Sequence, residues 1–476
     1  MNNSNSFLEE EKIGKLMRKF SIPCIISLLV GALYNIVDQL FISNASYLGS
    51  FGNAASTVVF PLTVIVLAIA TMIGDGACSF ISKSLGEKNS EKAGQAAANA
   101  IILFVIIGFV IMAIYLIFNE TLINLFGGKV NDETFNFSKE YFFWIALGVV
   151  FYMFGQGMNP IIRADGSPRF AMISMLAGAI TNLILDPIFI FLFKWGMTGA
   201  AIATVIGQIV TAVLSLLYLF KTKAIKFNKT CFVLDFNLIK RIFTLGLSSF
   251  LTQIAFVLSL FAVLNMCKKY AKLDEVFCKD EYSHIPTACI GIVMKFFQIV
   301  MSIAIGLSAG LIPVVSYNEG AKRYDRLKEI LRKLLILELI IGFICTCFFE
   351  LSANLLTNIF GGRNESVVYR EFMVKAIRVF LISLPLACFN KGVLIYLQAL
   401  GKGITSTLLA LLREIVLGTI LVFILPLVMK LNGVIYFEVV ADVITFIVTL
   451  FVLRNTRKTI DQSAKVNNHL IHDIDI

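Results

Sequence analysis

The chain has 476 residues, of which 58% are hydrophobic and only 15% are charged, and its mean hydropathy is +0.84. No ordinary soluble domain tolerates so little charge on its surface, so this composition excludes a soluble globular protein. The formal net charge of +10 requires no nucleic-acid partner, because the basic residues lie in short polar segments that would face anionic lipid headgroups.

Hydrophobic stretches long enough to cross a bilayer as helices, about 20 residues each, recur along the whole chain. They predict an all-α polytopic membrane protein with twelve spans. The first follows a polar tail and is not followed by a small-residue cleavage pattern, so we interpret it as a retained span rather than a signal peptide. The predicted spans are 20–43, 52–82, 95–118, 141–162, 170–192, 197–220, 242–267, 285–315, 334–353, 373–398, 403–428 and 432–453.

The distribution of lysine and arginine predicts the orientation. The segments on the side that holds both chain ends contain 26 of these residues, whereas the segments on the other side contain 10. Positively charged segments remain in the cytoplasm, so both tails are expected there. An even number of spans agrees with this orientation.

A repeat divides the spans into two groups of six. Three motifs of the first half recur in the second half at similar spacing. Ser84-Leu85-Gly86 corresponds to Ser316 to Gly320, Phe126-Gly127-Gly128 to Phe360-Gly361-Gly362, and Arg163 to Gly166 to Gln398 to Gly401. Because six is even, both copies share one orientation and are expected to be related by a pseudo-two-fold axis along the membrane normal, around a central cavity suited to alternating access. The predicted parts are an N-terminal tail 1–19, an N-terminal lobe 20–220, a basic linker 221–241, a C-terminal lobe 242–453 and a C-terminal tail 454–476.

The most informative polar residues lie in the fifth predicted span. Asn182 and Asp186 are four residues apart and therefore share one helix face. A carboxylate at bilayer depth is costly, so it usually marks a functional site. If Trp195 marks the tip of the following hairpin, Thr204 lies at the depth of Asp186. Pro187 is expected to kink the helix and to free a backbone carbonyl there.

A second acid, Asp38, is predicted in the same outer half of the membrane. Oxygen atoms of Asp38, Asn182, Asp186 and Thr204 would come from three spans and suit a hard cation or a proton. The alternative for Asn182 or Thr204 alone is a hydrogen bond that merely joins two helices.

The chain resembles the multidrug and toxic compound extrusion (MATE) family, closest to its bacterial multidrug branch, over about residues 12–455. The residues that carry the resemblance are Asn35 to Ile42, Arg163 to Gly166, Asn182 to Pro187, Gly199 to Ile206 and Ser316 to Lys322. The resemblance implies an antiporter that exports amphipathic organic cations against inward flow of sodium or protons, with no other cofactor.

The resemblance also implies roles for particular side chains. It gives coupling-ion roles to the positions of Asp38, Asn182, Asp186 and Thr204. It gives substrate-cavity roles to the positions of Tyr34, Asn35, Asn159 and Met175.

Two charged residues depart from the family pattern. Asp75 stands where a small or apolar residue is expected, near the cytoplasmic end of its span, and is either an inner gate or relay, or a structural hydrogen-bonding group. Lys295 would repel cationic drugs if it faced the cavity and would favour anionic or zwitterionic cargo. Its alternatives are snorkelling or pairing with Glu338 or Glu414.

The second half lacks the oxygen-rich constellation, so ion coupling is predicted in the N-terminal lobe alone. The charges that it buries include both signs and could pair with one another; they are Lys295, Glu338, Lys391, Arg413, Glu414, Glu438 and Asp442.

Other functions are less well supported by the sequence. A flippase for lipid-linked substrates would need a cavity rich in Arg and Lys, whereas the first six spans carry acids and essentially no basic residue. An enzyme or channel is disfavoured because there is no nucleophile motif, no filter repeat and no His or Cys cluster. Cys267 and Cys278 flank an outer loop and could pair. The expected partners are small organic substrates and membrane lipids, with a monomer as the functional unit in a bacterial cytoplasmic membrane.

Overall fold

The computed structural model is built almost entirely of helices and describes residues 6–45, 47–126, 132–279, 282–361 and 366–472. Twelve helical segments are long and apolar enough to span a membrane, which confirms the predicted number. Gly127, Gly128 and Gly362 of the repeat lie outside the described residues.

The helices extend beyond the predicted spans. The second helix, for example, begins at Ile13 rather than at residue 20, because Leu16 and Phe20 continue a buried apolar stripe past the hydrophobic stretch. The helices of the first half are α1 (Phe7–Glu10), α2 (Ile13–Asn44), α3 (Gly49–Gly86), α4 (Ser90–Ile117), α5 (Asn119–Leu125), α6 (Asp132–Ala164), α7 (Pro168–Pro187) and α8 (Gly196–Tyr218).

The second half continues the pattern of long helices, with two spans divided by a short break or an irregular turn. Its helices are α9 (Phe236–Ala271), α10 (Ile285–Gly310), α11 (Ile312–Gly320), α12 (Tyr324–Gly361), α13 (Val367–Leu381), α14 (Leu384–Ala399), α15 (Gly403–Ala410), α16 (Gly418–Met429) and α17 (Leu431–His472). Two π-helical segments, Ile188–Leu192 after α7 and Leu411–Leu417 after α15, interrupt the regular α geometry. Such segments are frequent at functional sites.

The chain forms two compact units. The first comprises Met1–Gln253, Ala309–Arg323 and Gln398–Gly403, and the second comprises Ile254–Ser308, Tyr324–Leu397 and Ile404–Ile476. The first unit therefore contains the predicted N-terminal lobe together with the beginning of α9 and with α11. The lobe boundaries inferred from the repeat stay predictions.

A cluster of apolar side chains forms the core of the second unit. Phe297, Phe380 and Phe437 are among its aromatic members, and the ring of Phe380 meets each of the other two edge to face. Cys267 is buried in the same cluster, whereas Cys278 is exposed, and both are free thiols.

Within the first unit, α3 approaches α9 so closely that glycine is required at the contact. A Cβ atom added at Gly246 of α9 would lie 1.7 Å from the carbonyl oxygen of Met72, and one added at Gly76 of α3 would lie 2.1 Å from that of Ile242. Both obstacles are backbone atoms, so neither can rotate away.

We therefore expect Gly246→Ala to lower stability by about 1–3 kcal/mol or more, since an added methyl group forces the helices apart. Gly291→Ala is the matched control, because a Cβ atom at that helical position meets nothing within 4 Å. The control should be neutral or slightly stabilising. Thermal unfolding of the purified proteins in detergent measures the difference, and equal midpoints for the two variants would contradict the packing argument.

The linker between the two halves is fastened to the first unit at its beginning. The carboxylate of Asp165 accepts a hydrogen bond from the hydroxyl of Tyr218 at 2.6 Å. It also accepts bonds from the backbone nitrogens of Lys223, Ala224 and Ile225 at 2.7, 2.8 and 2.7 Å. Four donors on one buried carboxylate fix the chain where it leaves α8.

The end of the linker is fastened as well. The side-chain amide of Asn99, fully buried in α4, donates to the carbonyl of Val233 at 3.0 Å and accepts from the backbone nitrogen of Asp235 at 3.0 Å. The linker therefore lies against the first unit over most of its length.

Candidate functional site

The end of α7 places Asp186 beside α8. Pro187 lacks an N–H group, and the chain continues after it through the π-helical segment Ile188–Leu192, where the nitrogen of Phe193 donates to the carbonyl of Ile188 at 2.9 Å. Lys194 and Gly196 then take positive φ angles of 55° and 62°, which reverse the chain into α8. The predicted kink after Asp186 is thus a change of helix type, and α8 returns alongside α7.

Asn182 joins the polar side chains of these two helices. Its amide nitrogen donates to Oδ1 of Asp186 at 3.1 Å and lies 3.4 Å from Oγ1 of Thr204. Thr204 in turn donates to the carbonyl of Ala200 at 3.0 Å. All three of the linked side chains are buried. The structure therefore brings together the three residues that the hairpin spacing placed at one depth.

Asp38 of α2 completes the group. Its side chain is 7% exposed, that of Asp186 is 1% exposed, and the two carboxyl groups are close enough to interact. Among the described residues, no donor reaches Oδ1 of Asp38 or Oδ2 of Asp186. Two neighbouring buried carboxyl groups need a proton or a cation between them, because two bare negative charges repel at short range. We call Asp38, Asn182, Asp186 and Thr204 the carboxyl site.

Two tyrosines border the carboxyl site. Tyr34 lies on α2 close to both acids, as the spacing along the helix predicts. Tyr141 on α6 is buried close to Thr204 and to both acids. Sequence reasoning missed Tyr141, because a tyrosine at the edge of a predicted span usually belongs to the interfacial aromatic belt. Only the packing of α6 against α8 shows that it points inward.

A cavity lies next to the carboxyl site, inside the first unit. It contains no charged side chain among its lining residues, which are Ser27, Gly31, Tyr34, Phe151, Tyr152, Gly155, Gln156, Met175, Gly178, Ala179, Asn182, Thr204, Gly207, Gln208 and Thr211. Asn182 and Thr204 belong both to this lining and to the carboxyl site. The Oε1 atom of Gln208 is buried and has no donor among the described residues.

The four predicted cavity residues have different positions in the structure. Tyr34 and Met175 line the cavity. Asn159 does not, and its amide nitrogen donates instead to the carbonyl of Ala171, joining α6 to α7 at 2.9 Å. The side chain of Asn35 lies outside the described part of the chain. Tyr152, Gln156 and Gln208 line the cavity without having been predicted, because an amide or aromatic group in an apolar helix does not reveal which face is hollow.

Asp75 lies apart from the carboxyl site and has partners of its own. Oδ1 of Asp75 is 3.6 Å from Nη2 of Arg163, and the hydroxyl of Ser249 donates to its Oδ2 at 2.9 Å. The expectation that the first six spans hold essentially no basic residue is therefore wrong at Arg163. This residue was assigned to the segment 163–169, but α6 extends to Ala164 and buries Arg163 to 4% exposure. The negative charge of Asp75 makes that burial tolerable.

Lys295 lies in the second unit with an exposed side chain and is not part of the cavity lining. The two acids considered as its partners have other contacts. Glu338 accepts a hydrogen bond from Ser308, and Glu414 pairs with Lys391.

The remaining buried charges of the second unit do pair with one another. Arg413 bonds Oε2 of Glu414 at 2.9 Å and Oδ1 of Asp442 at 3.1 Å, and it also contacts Glu438. Lys391 contacts Glu414 from α14. We call these five residues the Arg413 cluster. It joins α14, the π-helical segment and α17.

Comparison with known proteins shows to which family the chain is similar. The MatE family model matches residues 23–188 and 273–424. The chain is 25% identical over 464 residues to the multidrug export protein MepA of Staphylococcus haemolyticus (strain JCSC1435), covering 97% of this chain and 98% of that protein. It is 25% identical over 465 residues to MepA of Staphylococcus aureus (strain MSSA476), with the same coverage. A crystal structure of MATE in complex with MaL6 superimposes with a TM-score of 0.87 at 23% identity, covering 97% of this chain and 100% of that chain. Such structures have two lobes of six helices, so the fold is that of an integral membrane transporter.

Proposed function

The chain belongs to the MatE family, and from that premise we propose that it is a secondary active antiporter. It exports amphipathic organic compounds, chiefly cations and among them drugs, in exchange for H⁺ or Na⁺ by alternating access. The names of the relatives, multidrug export proteins, support this substrate class.

One observation carries the proposal, which is that the carboxyl site and the cavity share two residues. Asn182 bonds Asp186 and Thr204, and the same Asn182 and Thr204 line the cavity. An ion that enters between Asp38 and Asp186 changes the hydrogen bonds of Asn182, and with them the wall that a substrate touches. Ion and substrate therefore bind in competition, which is the coupling that an antiporter needs.

The cavity suits substrates of mixed character. Aromatic rings of Tyr34, Phe151 and Tyr152 offer flat contact area, Met175 offers an adaptable thioether, and the free Oε1 of Gln208 offers an acceptor for an ammonium or amide N–H. A substrate cation would also be attracted by the two acids beside the lining.

The proposal also includes the location of the protein, its cofactors and its partners. The protein works in the bacterial cytoplasmic membrane with both tails inside, as the lysine and arginine distribution favours. It is not an enzyme, needs no cofactor other than its coupling ion, acts as a monomer, and has small organic molecules and membrane lipids rather than nucleic acid as partners.

A flippase for lipid-linked substrates is the second candidate, and the geometry gives it less support. Such a substrate carries a pyrophosphate, which would need Arg or Lys in the cavity wall. The lining contains neither.

The proposal is tested by reconstitution in liposomes. A sodium gradient and a pH gradient are imposed separately, and the movement of a fluorescent organic cation is followed. We expect gradient-driven movement with at least one ion, and the ion that drives it is the coupling ion. If neither gradient drives movement of the cation, the protein is not an antiporter of this class.

The position of the cavity gives a second prediction. Ala179→Phe introduces a ring into the lining and is expected to weaken transport of large substrates by about 10- to 100-fold in apparent KM, through loss of about 1–3 kcal/mol of contact. Ile180→Phe is the matched control on the same helix, because Ile180 is 52% exposed and lies outside the lining. Initial uptake rates across a series of cation sizes measure the effect. Equal KM changes in the two variants would place substrate elsewhere.

A further inference from the structure

Three consecutive residues of α3, Gly74-Asp75-Gly76, hold this helix between two others. A Cβ atom at Gly74 would lie 2.7 Å from the carbonyl oxygen of Gly157 in α6, and one at Gly76 would lie 2.1 Å from that of Ile242 in α9. The two glycines thus allow α6 and α9 to approach α3 from different sides. Asp75 lies between them, at the point of closest approach.

Asp75 connects the same two helices through its own side chain. One carboxylate oxygen faces Arg163 of α6 at 3.6 Å, and the other accepts from Ser249 of α9 at 2.9 Å. Ser249 is held in turn by Gln398, whose Nε2 donates to the Ser249 hydroxyl at 3.1 Å. Residues from the first six spans and residues from the second half of the sequence therefore meet at one carboxylate, inside the first unit.

Arg163 depends on this carboxylate. Its side chain is 5% exposed, its Nη1 contacts the thiol of Cys24 on α2, and its Nε has no acceptor among the described residues. Among the described residues, Asp75 is the one carboxylate within ion-pair distance of Arg163, so removing Asp75 would leave the buried guanidinium with the thiol of Cys24 beside it. A buried charge without its partner is strongly unfavourable.

We propose that Asp75 is a positioning residue of a cytoplasmic interlock, formed by Asp75, Arg163 and Ser249, that holds α3, α6 and α9 together while the cytoplasmic side is closed. Its contacts must break for that side to open, so the charge of Asp75 determines how often the closed conformation converts to the open one. The inference rests on the proposed alternating-access function. It also accounts for an acid at a position where the family resemblance leads one to expect a small or apolar residue.

A native cysteine reports on the interlock. Cys78 lies three residues after Asp75 on α3 and is 0% exposed, so it reacts with a maleimide only when the helices separate. Cys289 and Cys388 are also 0% exposed, but they lie in the second unit and report on general unfolding. The full-length protein in liposomes is treated with N-ethylmaleimide, and mass spectrometry of its peptides gives the modification rate of each thiol.

We expect Asp75→Asn to raise the modification rate of Cys78 by about tenfold or more while Cys289 and Cys388 stay unreactive, because the lost pairing is a buried one. Asp75→Glu keeps the charge and should restore a rate close to that of the parent protein. Lys83→Gln is the matched control on α3, since it removes the pair with Glu319 of α11, whose side chains lie 2.7 Å apart and are 25% and 24% exposed. This pair is more exposed than that of Asp75 and Arg163 and does not involve α9, so the control should change the rate less than about twofold.

Two results would overturn the inference. One is an unchanged Cys78 rate in Asp75→Asn, and the other is a rise of equal size at Cys388, which would mean unfolding rather than opening. If Asp75→Asn does not fold, Ser249→Ala decides the matter, because it removes only the hydrogen bond from α9 and should still raise the Cys78 rate several-fold. Labelling requires no transport, so the modification rate of Cys78 can be interpreted even if gradient-driven export is not observed.

Discussion

Asp186→Asn is expected to lower the initial rate of coupled export by about 5- to 150-fold, the range spanned by typical coupling free energies between two sites. Asparagine has nearly the shape of aspartate, but it carries no negative charge and cannot take up a proton. The amide of Asn182 would then face a neutral partner in place of Oδ1 of Asp186. The cavity should still bind substrate, so the rate should fall far more than the affinity. Gradient-driven uptake in liposomes, with substrate binding measured in parallel, separates the two.

Asp38→Asn should behave in the same way, because the two buried carboxyl groups are neighbours in one site. Glu120→Gln is the control acid, since its side chain is 60% exposed and pairs with Lys139 on the surface at 2.5 Å. It should leave export unchanged. If cells that express Asp38→Asn and Asp186→Asn well still export drugs at the parental rate, ion coupling does not reside in the carboxyl site.

The second large effect concerns stability rather than transport. Arg413→Leu removes the cation that contacts three carboxylates of the Arg413 cluster, namely Glu414, Glu438 and Asp442. Within the described cluster, Lys391 would be the one cation left to balance them. Breaking a buried ion pair by removing one partner costs about 3–5 kcal/mol. We therefore expect a marked fall in the midpoint of thermal unfolding of the purified protein in detergent.

Arg378→Gln is the matched control for this variant. Arg378 lies 3.4 Å from Glu350, but the two side chains are 48% and 36% exposed, so the pair is largely solvated. Pairs of this kind contribute about 0–1 kcal/mol, and the midpoint should hardly move. A fall as small for Arg413→Leu as for Arg378→Gln would show that the cluster contributes specificity without stability.

The number of spans could be predicted because a helix that crosses lipid needs a long apolar stretch, and each such stretch can be recognised from its own local sequence. The helix ends could not, because they are decided by packing outside the bilayer. The extension of α2 back to Ile13 depends on an amphipathic face whose partners lie elsewhere in the chain. The change to π-helix after Pro187 illustrates the same limit, since proline indicates a break but not its geometry.

The carboxyl site shows a similar division. Asn182, Asp186 and Thr204 could be grouped from the sequence, because helix periodicity and one hairpin fix their relative positions. Tyr141 and Gln208 could not, since nothing local distinguishes an inward tyrosine or amide from an interfacial one. Arg163 was misplaced because its partner, Asp75, is remote in sequence and pairs with it only through the packing of α3 on α6.

The attachment of the linker decides to which part of the molecule the connecting loop belongs. Asp165 holds its first residues and Asn99 holds its last, so both ends of the loop are bonded to the first unit. The hydrogen bond from Ser249 to Asp75 extends this attachment into α9, and the chain leaves the first unit only after Gln253, in the middle of that helix. The boundary between the two units thus falls inside a continuous helix rather than in the loop that joins the repeats.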